Sequence, residues 1–147
     1  MVPKSESTRL EGPHGLVEYK GSDKLKHKKA IITGGECVCF LCLWYSSGIG
    51  RSVAILYARE GADITIVYLP QEQEDANETK KMIEKEGHKC LTLPFDLKEA
   101  DNAKSVVQKH LNMYGSLDIL VNNASQQVMC KNFEDINLGM HPVFLLM

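Results

Sequence analysis

The stretch "AIITGGECVCFLCLWYSSGIGRSVAILYAREGADITIVYL", Ala30 to Leu69, decides the fold. It opens inside a short apolar strand, "KAIIT" (Lys29 to Thr33), which runs into the glycine pair Gly34-Gly35. After an interval comes Ser47-Gly48-Ile49-Gly50, where a helix begins. That helix continues to about Glu60, with Val53, Ala54, Tyr57 and Ala58 at helical spacing and Gly61 as its stop. A β-branched run, Asp63 to Leu69, comes next as the second strand. A glycine-rich turn between strand and helix lets a phosphate group approach free backbone N–H groups at a helix N-terminus. Both halves of such a turn are present, yet "ECVCFLCLWYS" stands between them. Glycine also serves plain turns; the strand before and the helix after are what strengthen the reading.

Working outward, the alternation continues. "QEDANETKKMIEKEG" is a charged amphipathic helix closed by Gly87, and "KCLTLPF" is a strand stopped by Pro94. "EADNAKSVVQKHLNMYG" is a third helix, with Val106, Val107, His110 and Leu111 expected on one face. "LDILVNNAS" is a fourth strand running into Asn122 and Asn123. Strands that alternate with helices pair in parallel, because parallel neighbours need such crossovers. The expected class is α/β, a Rossmann-like doubly wound parallel sheet of about four strands and three helices.

Composition narrows the partners. The 147 residues are 44% hydrophobic and 24% charged with a net charge of −2, which gives no electrostatic case for nucleic acid or an anionic membrane. The basic run Lys24, Lys26, Lys28, Lys29 reads as a solvated flank of the first strand. Met1 to about Gly21 is polar, carries Pro and Gly, and reads as a flexible arm without the apolar core of a signal peptide. The longest apolar run, Cys37 to Tyr45, is less than half of the ~20 residues a membrane span needs. A cytoplasmic protein is expected. Five cysteines, three of them crowded at Cys37, Cys39 and Cys42, argue against a disulfide scaffold. A closed zinc site wants four ligands and no His lies near them, so no metal is expected.

"TGG…SGIGR", "DL" after the third strand and "NNA" after the fourth together resemble the short-chain dehydrogenase/reductase family, over about Lys24 to Ile136. "YKGSDKL" and "EGADITIVYLPQEQEDANETKKMIE" resemble its glucose/ribitol dehydrogenase-like branch. The resemblance implies a partial NAD(P)-binding domain over residues 22–136, the N-terminal half of the family fold, with a tail over 137–147 that does not follow the family. It implies that Gly34, Gly35, Ser47, Gly48, Ile49 and Gly50 wrap the cofactor diphosphate. Asp96, followed by Leu97, would accept a hydrogen bond from the adenine amino group; Asn122, Asn123 and Ala124 would line the adenosine ribose and brace the central strand. Where the family usually ends that motif in Gly, this chain has Ser125. Each piece has a blander reading: Asp96 as a cap of the next helix, paired Asn as a turn.

The choice of dinucleotide turns on two places. NAD enzymes commonly carry an acid at the end of the second strand, and here that end reads Tyr68-Leu69. Arg51 directly follows Gly50 and would meet a 2′-phosphate, or else be a solvated first-turn arginine. The lean is to NADP.

The family's chemistry needs a Tyr with a Lys four residues on, together with a Ser and an Asn. Four positions after Tyr19, Tyr45, Tyr57, Tyr68 and Tyr114 stand Asp23, Ile49, Gly61, Glu72 and Asp118. The chain therefore reads as the cofactor half, with no catalytic residue assigned. Replacing residues 36–46 by one Asp would restore a family-like "TGGDSGIG", so ten residues are extra. They read either as translated intron or as a genuine insertion, an apolar plug at the cofactor mouth. Three function classes emerge: an oxidoreductase moving hydride between NAD(P) and a sugar, polyol or other carbonyl compound; a non-catalytic nucleotide- or partner-binding fragment; and an interaction protein using the Cys37–Tyr45 segment. A small-molecule substrate is expected only for a full-length relative. Association is expected through an open sheet edge at Asp118–Val121.

Overall fold

A computed structural model describes residues 19–34 and 49–124. The elements are β1 (Lys29–Thr33), α1 (Ile49–Arg59), β2 (Asp63–Tyr68), α2 (Gln73–Lys85), β3 (Cys90–Pro94), α3 (Ala100–Tyr114) and β4 (Ile119–Asn122), with a 3₁₀ turn at Pro70–Glu72 leading into α2. The strands form one parallel sheet in the order β3-β2-β1-β4. The chain steps outward from β1 to β3, then crosses back to lay β4 on the other side of β1. That reversal opens a crevice at the C-terminal ends of β1 and β4, where open α/β sheets take their ligands.

The period-2 alternation of strand side chains explains the two cores. Ala30 and Ile32 of β1 and Ile64, Ile66 and Tyr68 of β2 face Ala54 and Ala58 of α1 and Ala76 and Ile83 of α2. Small residues on α1 let the helix sit close against the sheet. Ile31 and Val67 face the other way and pack with Leu93 and with Val106 of α3. Both faces of β1 and β2 are covered, which is why those strands read as unbroken apolar runs.

On α3, Val106 and His110 are buried, whereas Val107 and Leu111 remain about one-third exposed, so the expected four-residue face is split. In β4, Ile119 and Val121 turn inward while Leu120 is 53% exposed. β4 is an edge of the described sheet, as expected for Asp118–Val121.

The last residues of the expected arm are not loose. Tyr19 donates its phenol proton to the buried Glu60 carboxylate, which also accepts from the Ser22 N–H at 3.1 Å and the Lys24 N–H at 2.9 Å. A Cβ on Gly21 would lie 1.9 Å from the Arg59 carbonyl oxygen, so the segment is pressed against the end of α1. One buried carboxylate ties down Tyr19, Ser22 and Lys24 together. Residues 1–18, the 36–46 segment and the tail lie outside the described residues.

Candidate functional site

The crevice is built from hydrogen bonds between the tips of β1 and β4. The Thr33 hydroxyl accepts from the Asn123 and Ala124 N–H groups, each at 3.1 Å, and faces the Val121 carbonyl at 3.3 Å. One side chain thus satisfies the two amides that emerge as β4 ends. The Asn123 amide donates to the Gly34 carbonyl at 2.6 Å, and the Gly34 N–H bonds to the Val67 carbonyl at 2.9 Å. Gly34 has φ +64°, and a Cβ there would stand 2.6 Å from Ala124 Cα. Glycine at this position is demanded by the close approach of the two chain segments as well as by the left-handed backbone.

Asn122 closes β4 with an exposed side chain, and Ala124 is exposed beside it. Across the crevice, α1 begins at Ile49, which is 55% exposed, followed by the buried Gly50. The four N–H groups of a first helical turn have no intrahelical acceptor. Gly35, Ser47 and Gly48 lie outside the described residues.

Asp96 comes just after the end of β3. Its Oδ1 accepts from the Lys98 N–H at 3.0 Å, and its backbone carbonyl accepts from the Asn102 amide at 2.8 Å. Its second carboxylate oxygen has no partner among the described residues. Asp96 shapes the turn before α3 but does not cap it, since the residue at that cap is Glu99. Leu97 packs among the apolar residues under α3.

The structure corrects one of the two sequence readings of Arg51. It is only 7% exposed, so it is not a solvated first-turn arginine. Its side chain is also engaged: Nε donates to Thr79 Oγ1 at 3.0 Å, Nη1 to Glu78 Oε2 at 3.4 Å and Nη2 to the Asp75 carbonyl at 3.4 Å, with the Asp75 carboxylate 3.7 Å away. All of these partners lie on α2.

The end of β2 also holds a carboxylate that Tyr68-Leu69 does not reveal. Glu72, buried, accepts from the Leu69 N–H at 2.9 Å while its own N–H bonds back to the Leu69 carbonyl at 2.8 Å. The signal was available in "LPQE": Pro70 fixes the first position of the turn, and Glu72, two further on, reaches back to the Leu69 N–H as the acid of a capping box does. Tyr68 turns its hydroxyl to Gln73 at 2.9 Å.

The groups with displaced proton affinities lie away from the crevice. His110 is held between Thr65 Oγ1, 2.7 Å from Nδ1, and the Ser116 carbonyl, 3.0 Å from Nε2. That pairing fits the neutral ring with its proton on Nε2. Burial lowers its pKa, Lys29 adds to the effect, and the Ser116 carbonyl and Asp118 oppose it. Burial pushes the Cys90 thiol up to about 12, and raises the Tyr114 phenol, which donates to the Ile64 carbonyl at 3.0 Å.

Known proteins share this outline. A family model described as short chain dehydrogenase matches residues 28–139. General stress protein 39 of Bacillus subtilis is 50% identical over 119 residues, covering 81% of this chain and 38% of that protein. The glucose and ribitol dehydrogenase of Daucus carota is 37% identical over 129 residues, covering 84% of this chain and 41% of that protein. Among solved structures, a double mutant of the Serratia marcescens short-chain dehydrogenase/reductase superposes with a TM-score of 0.65 at 28% identity, covering 79% of this chain and 42% of that one. The chain thus spans about two-fifths of the length of these relatives.

Proposed function

Because the chain belongs to the short-chain dehydrogenase family, we propose that it forms the nucleotide-binding half of an NAD(P)-dependent oxidoreductase acting on a sugar, a polyol or another carbonyl compound or alcohol. The observation that carries this reading is the Thr33–Gly34–Asn123 network, which ties the tips of β1 and β4 together at the strand-order reversal. The residues there fit a dinucleotide: a first helical turn at the crevice, a closely approached glycine, and an Asp96 oxygen, unpaired among the described residues, one strand beyond β2. In this reading Gly34, Gly35, Ser47, Gly48, Ile49 and Gly50 hold the diphosphate, and Asp96, with Leu97 behind it, accepts from the adenine amino group. Asn122, Asn123 and Ala124 flank the ribose. The bound nicotinamide would supply hydride chemistry.

Proton transfer is a different matter. No Tyr in the sequence has a Lys four residues later. Tyr19, Tyr68 and Tyr114 have their hydroxyls on Glu60, Gln73 and the Ile64 carbonyl. General acid–base help is worth ~10²–10⁴-fold, so this chain alone is expected to bind without turning over. No described helix is long and apolar enough to cross a membrane, and a cytoplasmic setting is part of the proposal. Calorimetric titration with NADH and NADPH, followed by absorbance assays over a panel of aldehydes and sugars, tests it. Saturable binding without turnover is the expected result; absence of binding to either nucleotide overturns the reading.

A further inference from the structure

Arg51 is where the lean to NADP began, and its surroundings point the other way. It leaves the first turn of α1 and reaches across to α2, with its guanidinium nitrogens on Thr79, Glu78 and the Asp75 carbonyl. Two carboxylates, Asp75 at 3.7 Å and Glu78 at 3.4 Å, face this one cation. Glu72, at the end of β2 beside β1, adds a third carboxylate to the same edge of the sheet. Around the Arg51 guanidinium two carboxylates thus meet one cation among the described residues, and the arginine is already matched to acceptors in the forked geometry that guanidinium favours.

We infer that Arg51 is a positioning residue that straps α2 to the start of α1, and that Asp75 and Glu78 turn the α2 side of the crevice against a 2′-phosphate and toward NAD. This rests on the dinucleotide reading above. A 2′-phosphate brings about two negative charges to that end. Seating it on Arg51 would require breaking the hydrogen bonds to α2 and accepting repulsion from two carboxylates. A 2′-hydroxyl asks for neither.

Two readouts test the inference on the full chain. The first is the ratio of NADP⁺ to NAD⁺ affinity by calorimetry at fixed ionic strength. Asp75 and Glu78 are half-exposed, with side chains 47% and 50% accessible, so Asp75→Asn and Glu78→Gln should fold normally. The unaltered chain is expected to prefer NAD⁺, and the double substitution should raise relative NADP⁺ affinity by roughly tenfold while leaving NAD⁺ affinity nearly unchanged. A preference for NADP⁺ that collapses in Arg51→Lys or Arg51→Met would make Arg51 a phosphate ligand and overturn the inference.

The second readout needs no nucleotide. Arg51→Lys keeps the charge but loses the fork, and should lower the thermal midpoint by several degrees. The loss should shrink when Glu78→Gln is already present, because the two changes remove the same contact. Equal midpoints for Arg51→Lys and the parent chain reject the strap, even if no nucleotide binds. Failure of both nucleotides to bind with the thermal coupling intact would refute only the dinucleotide reading and the preference derived from it.

Discussion

Replacing Gly34 by Ala asks how much of the crevice depends on the approach of β1 to β4. The left-handed backbone at φ +64° costs a non-glycine residue about 1 kcal/mol. The new Cβ would stand 2.6 Å from Ala124 Cα and 2.8 Å from its nitrogen, and backbone atoms cannot rotate away. Restoring ordinary contact needs a shift of roughly 1 Å. That shift pulls the Ala124 and Asn123 N–H groups off the Thr33 hydroxyl and the Asn123 amide off the Gly34 carbonyl. Three neutral hydrogen bonds at about 1 kcal/mol each bring the total to about 3–4 kcal/mol. Gly87→Ala is the control: φ is +88°, yet nothing lies within 4 Å of its Cβ, so only the backbone cost of about 1 kcal/mol remains. At about 3 °C per kcal/mol for a chain of this size, Gly87→Ala should lower the melting temperature by about 3 °C and Gly34→Ala by about 10 °C. Differential scanning calorimetry with urea unfolding at one pH compares them. Equal losses would refute the argument that the strand tips are locked together.

Stability should fall in two separate pH windows. His110 has a folded pKa below the ~6.5 of an unfolded histidine. Its contribution is therefore complete above that value and declines on acidification by up to about 1.4 kcal/mol per unit until the folded pKa is passed. Replacing His110 by Gln should flatten the urea-midpoint profile between pH 7 and 5. Asp63 has the same sign in a lower window: burial alone would raise its pKa, but the Lys29 ammonium and the Lys89 N–H outweigh it and hold it low. Its stabilisation is present above pH ~4 and is lost as pH drops through the folded value, so Asp63→Asn should blunt only the acid limb. Glu60→Ala leaves the Ser22 and Lys24 N–H groups without that acceptor, a loss of about 3 kcal/mol. Trypsin should then cut at Lys20 and Lys24 far faster than in the parent chain. Replacing residues 36–46 with a single Asp should tighten NADH binding in calorimetry, because it brings Gly34 and Gly35 back within a short link of Gly48.

The fold was legible wherever periodicity and punctuation agreed. β1 spans Lys29–Thr33 as read, because the apolar run, its lysine flank and the glycine pair all mark the same limits. The split face of α3 was not legible. Helical spacing groups Val106, Val107, His110 and Leu111, but a helix lying on a sheet buries a narrower stripe than those residues cover. The burial of Arg51 was not legible because sequence places it next to Gly50, whereas its partners on α2 lie 24 to 28 positions further on. Glu72 was not legible because it lies in the turn past the last residue of the strand. The turn that returns it to the Leu69 N–H is one that only Pro70 announces.

The Glu60 anchor also fixes which way the domain faces when it is held by its N-terminus. Glu60 stands just past the C-terminal end of α1, so it lies at the edge of the sheet where strands begin. Gly34 and Asn123 lie at the edge where strands end. The five residues of β1 separate the two by about 16 Å. A surface tether joined ahead of Tyr19 would therefore pull on the base and leave the crevice pointing into solution. Immobilised chains should then exchange nucleotide as freely as dissolved ones, whereas a linker grafted beyond Ala124 would draw the crevice down against the support.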